Sequence, residues 1–161
     1  MTAFQLKIVT PDGLIYDGEA EELIVRATSG DKGILAGHIN CVASLGMGRA
    51  TDVIGGKKRY GACIGGMVSV VNGAVTLVPT TFEWAEDIDV KRAENAAERA
   101  KEVIAKKDAS DADIRMAQAR LKRALVRSSS PAPLTTWWKN GRVRANDDFP
   151  SENRHPRRHR L

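Results

Sequence analysis

Glycine is spread so unevenly along this chain that it divides the chain before any other property is considered. Thirteen of the 14 glycines lie at or before Gly73, and none occurs from residue 74 to residue 140. Glycine frees the backbone for tight turns and costs about 1 kcal/mol relative to alanine inside a helix, so the first part reads as short strands joined by turns. From about Ile88 alanine and alternating charge take over, the composition of helices. One chain therefore carries two kinds of structure, a β body and a helical appendage.

With 161 residues there is room for one modest core and an attachment. The net charge of +5 matters only through where it sits. Residues 1–127 carry 18 Lys or Arg against 17 Asp or Glu, whereas residues 128–161 carry 7 against 3. The body is nearly neutral and the basic excess belongs to the tail. Cys41 and Cys63 fall in separate β segments without metal or redox spacing, so they read as buried free thiols in a reducing compartment. No apolar run is long enough to span a bilayer and no signal-peptide pattern opens the chain, so the expectation is a soluble, cytoplasmic protein.

Phe4, Leu6 and Ile8 alternate with Gln5 and Lys7, the period of a half-buried strand, and Thr10-Pro11-Asp12-Gly13 closes it with turn chemistry. A short Leu14-Ile15-Tyr16 segment, a turn at Asp17-Gly18, and a strand over Glu22-Leu23-Ile24-Val25-Arg26-Ala27 follow. Gly55-Gly56 and Asn72-Gly73 each separate two β-prone runs and predict two-residue hairpins, because both turn positions need positive φ. Several short strands at this spacing argue for a sandwich or flattened barrel. Ser29-Gly30-Asp31-Lys32-Gly33-Ile34-Leu35-Ala36-Gly37-His38 reads as a glycine-rich connection between strands. No phosphate cradle is present: Gly56-Lys57 is followed by Lys58 and has Thr51 where a P-loop needs its first glycine, and Gly46-Met47-Gly48 runs on to Thr51 where a dinucleotide fold needs glycine.

In the second half Ala93, Ala96, Ala97, Ala100, Val103 and Ile104 recur at steps of three and four, with Asp89 placed as N-cap. Residues 106–110 break that helix, Ser110 or Asp111 caps the next, and Ile114, Ala117, Leu121, Ala124 and Leu125 trace a second stripe ending near Arg127. So short a linker predicts an antiparallel hairpin. An alanine stripe favours helix but buries few methylenes, each worth about 0.8 kcal/mol, so the helices hold each other weakly. Either a permanently docked satellite or a conformational switch satisfies that pattern. Arg92 and Arg99 share one helix face, as do Arg123 and Arg127. Such faces suit a polyphosphate, while solvated ion pairs such as those among Glu98, Lys101 and Glu102 are the plainer reading.

Four colinear motifs support a family resemblance. Phe4-Gln5-Leu6-Lys7-Ile8-Val9-Thr10-Pro11, Gly30-Asp31-Lys32-Gly33-Ile34-Leu35-Ala36-Gly37-His38, Gly65-Gly66-Met67-Val68-Ser69-Val70 and Ile88-Asp89-Val90-Lys91-Arg92-Ala93 resemble, in order and spacing, the epsilon subunits of F-type ATP synthases, counterparts of the mitochondrial delta subunit. The resemblance covers residues from about 3 to 127. It implies an α+β fold: a flattened N-terminal β sandwich of about ten short strands over residues 1–86, then two antiparallel helices over residues 87–127. It further implies a non-catalytic subunit of the rotor stalk, seated with the gamma subunit on the c-ring at the cytoplasmic face of a bacterial membrane. The helices would reach the alpha and beta subunits when extended and inhibit ATP hydrolysis. Asp31 and His38 would meet the c-ring. Residues 88–93 match a signature of members whose folded hairpin binds ATP as a regulatory ligand; that implies a site of Glu83, Ile88, Asp89, Arg92, Ala93, Arg99, Arg123 and Arg127, with no required cofactor and no metal. Motion would centre on residues 83–89.

Two departures stand out. Leu35-Ala36-Gly37-His38 lacks the proline that usually precedes this glycine, and residues 128–161, with Trp137, Trp138 and a terminal His/Arg cluster, run past the usual end of the family and read as a disordered tail. A small nucleic-acid-binding β module with a basic tail is the alternative of another class, and it predicts affinity that falls steeply with salt. A hydrolase built on His38 is a third, with no nucleophile or metal constellation beside it.

Overall fold

The computed structural model describes residues 2–130, so the rest of the tail, including its Trp and Arg clusters, lies outside the described residues. Ten strands precede two helices: β1 (Phe4–Thr10), β2 (Gly13–Ala20), β3 (Glu22–Ala27), β4 (Gly30–Leu35), β5 (Cys41–Ser44), β6 (Met47–Ile54), β7 (Lys57–Ile64), β8 (Met67–Val71), β9 (Ala74–Val78) and β10 (Thr81–Trp84). After a 3-10 turn at Ala85–Asp87 come α1 (Val90–Ala105) and α2 (Asp111–Ser129).

The strands form two five-stranded sheets, in the orders β2-β1-β9-β8-β5 and β10-β7-β6-β3-β4. All neighbours are antiparallel except β1 and β9. Strand alternation aims Leu6, Ile8, Val68, Val70, Val75 and Leu77 of the first sheet at Leu23, Val25, Ala50, Cys63, Phe82 and Trp84 of the second. Every member of this core lies between Phe4 and Trp84, so the sandwich owes none of its core to the helices.

Both predicted glycine hairpins are present. Gly55 and Gly56 take φ of 57° and 73°, and Asn72 and Gly73 take 51° and 83°, the positive values that such turns need to match the twist of the flanking strands. The turn expected at Asp17-Gly18 does not occur, because β2 runs straight through it. Asp17 is held by its neighbours on β1, accepting from Gln5 Nε2 at 2.8 Å and pairing with Lys7 Nζ at 3.3 Å. These cross-strand contacts override the local turn preference. The connection expected over residues 29–38 is also more ordered than its glycines suggest. Gly30–Leu35 forms β4, an edge strand paired along its length with β3, and only residues 36–40 remain a loop.

Gly66, between β7 and β8, has φ of 91°, and a Cβ there would overlap the Val78 carbonyl and lie 2.6 Å from Pro79 Cα. Backbone cannot move aside cheaply, so Gly66→Ala is expected to lower stability by about 3 kcal/mol in urea unfolding. A loss below about 1 kcal/mol would contradict this packing.

α2 packs on the outer face of the second sheet against β6 and β7, and α1 packs on α2. The hairpin is thus folded and docked. Its buried residues are all alanine, Ala93, Ala97 and Ala100 on α1 with Ala117 and Ala124 on α2. Leu125, expected in the stripe, is 48% exposed. α2 also runs two residues beyond Arg127, through Ser129. Among the described residues no helix is long and apolar enough to cross a membrane.

Candidate functional site

The two helices, the linker before them and Glu83 of the edge strand β10 enclose a cleft of about 600 Å³. Several local devices build it. Asp89 Oδ1 accepts from the Arg92 backbone N–H at 3.0 Å and starts α1, and Ser110 Oγ accepts from the Asp113 N–H at 3.2 Å and starts α2. With both starts fixed, the helical repeat aims Arg92 and Arg99 of α1 and Arg123 and Arg127 of α2 into one space. Glu83 enters from β10, where alternation puts Phe82 and Trp84 in the core and Glu83 on the opposite face. Ile88 and Asp89 close the cleft from the linker, and Ala93 forms part of its floor.

All eight residues assigned to a nucleotide by resemblance therefore line the same cleft, although they span more than 40 positions of sequence. Arg120 and Asp87 line it too and were missed. The signal for Arg120 was available: residues 120, 123 and 127 lie on one helix face. The lining holds five arginines and three carboxylates, Glu83, Asp87 and Asp89. Arg127 Nε lies 2.6 Å from Glu83 Oε2. The N–H points off the carboxylate, so Nε is charge-paired but donates no directed hydrogen bond. Arg92, Arg99, Arg120 and Arg123 form no ion pair with another side chain among the described residues. The intrahelical pairing expected on the hairpin exists as Lys101–Glu98, at 2.9 Å, and occupies none of these arginines.

Four unpaired guanidinium groups, an orphaned Arg127 N–H and a cleft within the usual 300–1,000 Å³ of small-molecule sites make a fitting receptor for a polyphosphate. The apolar wall of Ile88, Ala93, Ala96 and Val103 suits a flat, weakly polar ring. Among the described residues no group of His, Cys, Asp or Glu could hold a metal ion.

Asp31 and His38 lie away from this cleft. Asp31 sits on the edge strand β4, paired with Arg26 Nε at 2.9 Å. His38 belongs to the loop that follows, where its Nδ1 lies 2.8 Å from the Ile39 carbonyl oxygen and 3.8 Å from Cys41 Sγ. Leu35 and Ile39 beside them are 57% and 77% exposed. A second apolar surface covers the outer face of the first sheet, where Val42, Met67, Val71 and Val78 stand exposed on the side opposite the core. Cys63 is buried and Cys41 half-buried, both free; burial and the Asp52 carboxylate push the Cys63 thiol up to about 12, so it is inert as a nucleophile.

Residues 3–85 match the family model described as ATP synthase, Delta/Epsilon chain, beta-sandwich domain, and residues 86–129 match its long alpha-helix domain. The chain is 42% identical over 127 residues to the ATP synthase epsilon chain of Bacillus velezensis, an alignment covering 79% of this chain and 96% of that one. It is 40% identical over 127 residues to that of Bacillus pumilus, covering 79% and 95%. Among solved structures, a chain of the Euglena gracilis mitochondrial ATP synthase superposes with a TM-score of 0.67 at 24% identity, covering 76% of this chain and 77% of its own length. One from the central stalk and c-ring of the Tetrahymena thermophila enzyme gives 0.56 at 11%, covering 80% and 96%. Its two domains, matched in order over nearly the whole described length, place the chain in the delta/epsilon family of ATP synthase chains.

Proposed function

We propose that this chain is a non-catalytic subunit of the central rotor stalk, coupling c-ring rotation to the catalytic head through gamma. In this reading the exposed face of Val42, Met67, Val71 and Val78 docks on gamma, because apolar surface of this kind on a sandwich is ordinarily covered. Asp31, His38 and the exposed Leu35 and Ile39 meet the polar loops of the c-ring. The complex, rather than any segment described here, carries the protein to the cytoplasmic face of a bacterial membrane.

The hairpin is the regulatory part. Docked, it leaves the head free to hydrolyse ATP; undocked and extended along gamma, it reaches the alpha and beta subunits and inhibits hydrolysis. ATP binds the docked form in preference and so favours it, with the gain set by concentration over affinity. The observation that supports this most is the convergence of Glu83, Ile88, Asp89, Arg92, Ala93, Arg99, Arg123 and Arg127 on one cleft at the junction of helix and sandwich. A ligand there touches both helices and β10, and undocking would dismantle its site.

Titration calorimetry of the isolated protein with ATP, free of magnesium, tests the assignment. One molecule bound per chain is expected, with inorganic phosphate far weaker. No heat at millimolar ATP would remove the nucleotide from this site.

A further inference from the structure

Among the described residues Asp52 is the one carboxylate set inside the sandwich. It is 0% exposed, and neither carboxyl oxygen has a hydrogen-bond partner. Alternation along β6 aims it inward between Ala50 and Ile54. The charged and titratable groups facing it are Tyr16 of β2 and Arg59 and Cys63 of β7; β3 presents Leu23. Tyr16 is committed elsewhere, its hydroxyl donating to the Glu19 carbonyl at 2.7 Å. Cys63 is a weak donor. That leaves Arg59, directly opposite Asp52 in the β6–β7 register.

Arg59 is turned outward. Its guanidinium lies 3.7 Å from the centroid of the Trp84 ring, and Nε donates to Glu86 Oε1 at 2.6 Å. Glu86 lies in the Ala85–Asp87 turn, the joint between sandwich and hairpin. Partial burial pushes Glu86 upward, but the hydrogen bonds from its own backbone N–H and from Arg59 outweigh that and hold it below the usual carboxylate range. A single cation thus stands between a core carboxylate without a partner and a hinge carboxylate that has one.

We propose that Asp52, Arg59 and Glu86 form a proton-operated latch, in which Arg59 exchanges between the hinge carboxylate and the core carboxylate. While Asp52 holds its proton, Arg59 stays on Glu86 and fixes the turn at the angle that docks the hairpin. When Asp52 releases its proton to solvent, a buried anion is left that a charge-assisted hydrogen bond must satisfy. Arg59 pivots on the Trp84 face toward Asp52, Glu86 is freed, and the joint loosens. Burial pushes the Asp52 carboxyl up to about 7, against the lowering effect of Arg59, which puts the exchange within the range a cell can visit. This inference rests on the reading of the hairpin as a mobile regulator, and it adds a second input beside ATP.

The test is a spin-label distance between Lys57→Cys, at the β6–β7 turn, and Lys107→Cys, at the tip of the hairpin, in the full chain with Cys41→Ser; Cys63 is buried and stays unlabelled. From pH 6 to pH 8.5 the ratio of undocked to docked hairpin is expected to rise about fivefold, the scale of one partly exposed ion pair. Asp52→Asn should stay docked at both values. Arg59→Gln and Glu86→Gln should be undocked to the raised extent at both, which keeps the test decisive if Asp52→Asn fails to fold. A hairpin that responds to ATP but not to pH, or an Arg59→Gln protein that keeps the pH response, overturns the latch alone. A hairpin unmoved by ATP, by pH and by Glu86→Gln overturns the regulatory reading and the latch with it.

Discussion

Asp52→Asn is expected to make the sandwich more stable above neutral pH and to leave it nearly unchanged in acid. The native Asp52 carboxyl titrates at about 7 because burial opposes its charge, whereas in the unfolded chain it titrates near 3.9. Between those values the folded state holds a proton that the unfolded state has lost. The stability this proton contributes is fully present below about pH 4, falls as pH rises, and is gone above about pH 7. At about 1.4 kcal/mol per pH unit over roughly three units, the loss approaches 4 kcal/mol at pH 8, less whatever Arg59 recovers by turning inward. Asparagine occupies nearly the same volume and cannot ionise, so its unfolding free energy should not follow that decline. Urea unfolding at pH 5 and pH 8 checks this: parallel losses in both proteins would mean that Asp52 is not the source.

Arg92→Ala with Arg127→Ala is expected to weaken ATP binding at least a hundredfold. The two side chains reach the cleft from different helices, and each charge-assisted hydrogen bond to a phosphate oxygen is worth about 1.5–3 kcal/mol. Arg92→Lys should recover little of the loss, since an ammonium lacks the planar fork. Calorimetry reads the affinity and circular dichroism confirms that the helices remain. Because Arg127 also pairs with Glu83, Glu83→Gln separates the roles: it removes that pair and leaves both guanidinium groups in the cleft. Full ATP affinity in the double variant would show that these arginines do not hold the phosphates.

The hairpins at Gly55-Gly56 and Asn72-Gly73 and the helix starts at Asp89 and Ser110 were legible because each is decided by residues within four positions of one another. Asp17-Gly18 misled for the same reason. Its local chemistry says turn, but Gln5 and Lys7 occupy the aspartate from the next strand, and no local rule contains that partner. Strand β4 was hidden by its glycines; an edge strand with an exposed face needs few large side chains. Spacing alone marked Arg92, Arg99, Arg123 and Arg127 as two face-sharing pairs suited to a polyphosphate, whereas Glu83, Ile88, Asp89 and Ala93 entered the site only through family resemblance. Asp52 falls in the β-prone run before Gly55-Gly56, and nothing within that run marks it as buried. Which face it takes depends on partners distant in sequence, Leu23 of β3 in register with it and Tyr16 of β2 facing it, so the legible turn after Ile54 did not by itself reveal its burial.

If the sandwich couples and the hairpin regulates, truncation separates the two roles. Because the core closes within residues 4–84, a chain ending at residue 87 should fold and bind gamma. The measurement is ATP hydrolysis by a complex of alpha, beta and gamma, with the full chain or the truncated chain added at saturation and low ATP. The full chain is expected to lower the rate several-fold, and the truncated chain to bind gamma with similar affinity but leave the rate unchanged. Equal inhibition by both chains, or no binding to gamma by either, would contradict it.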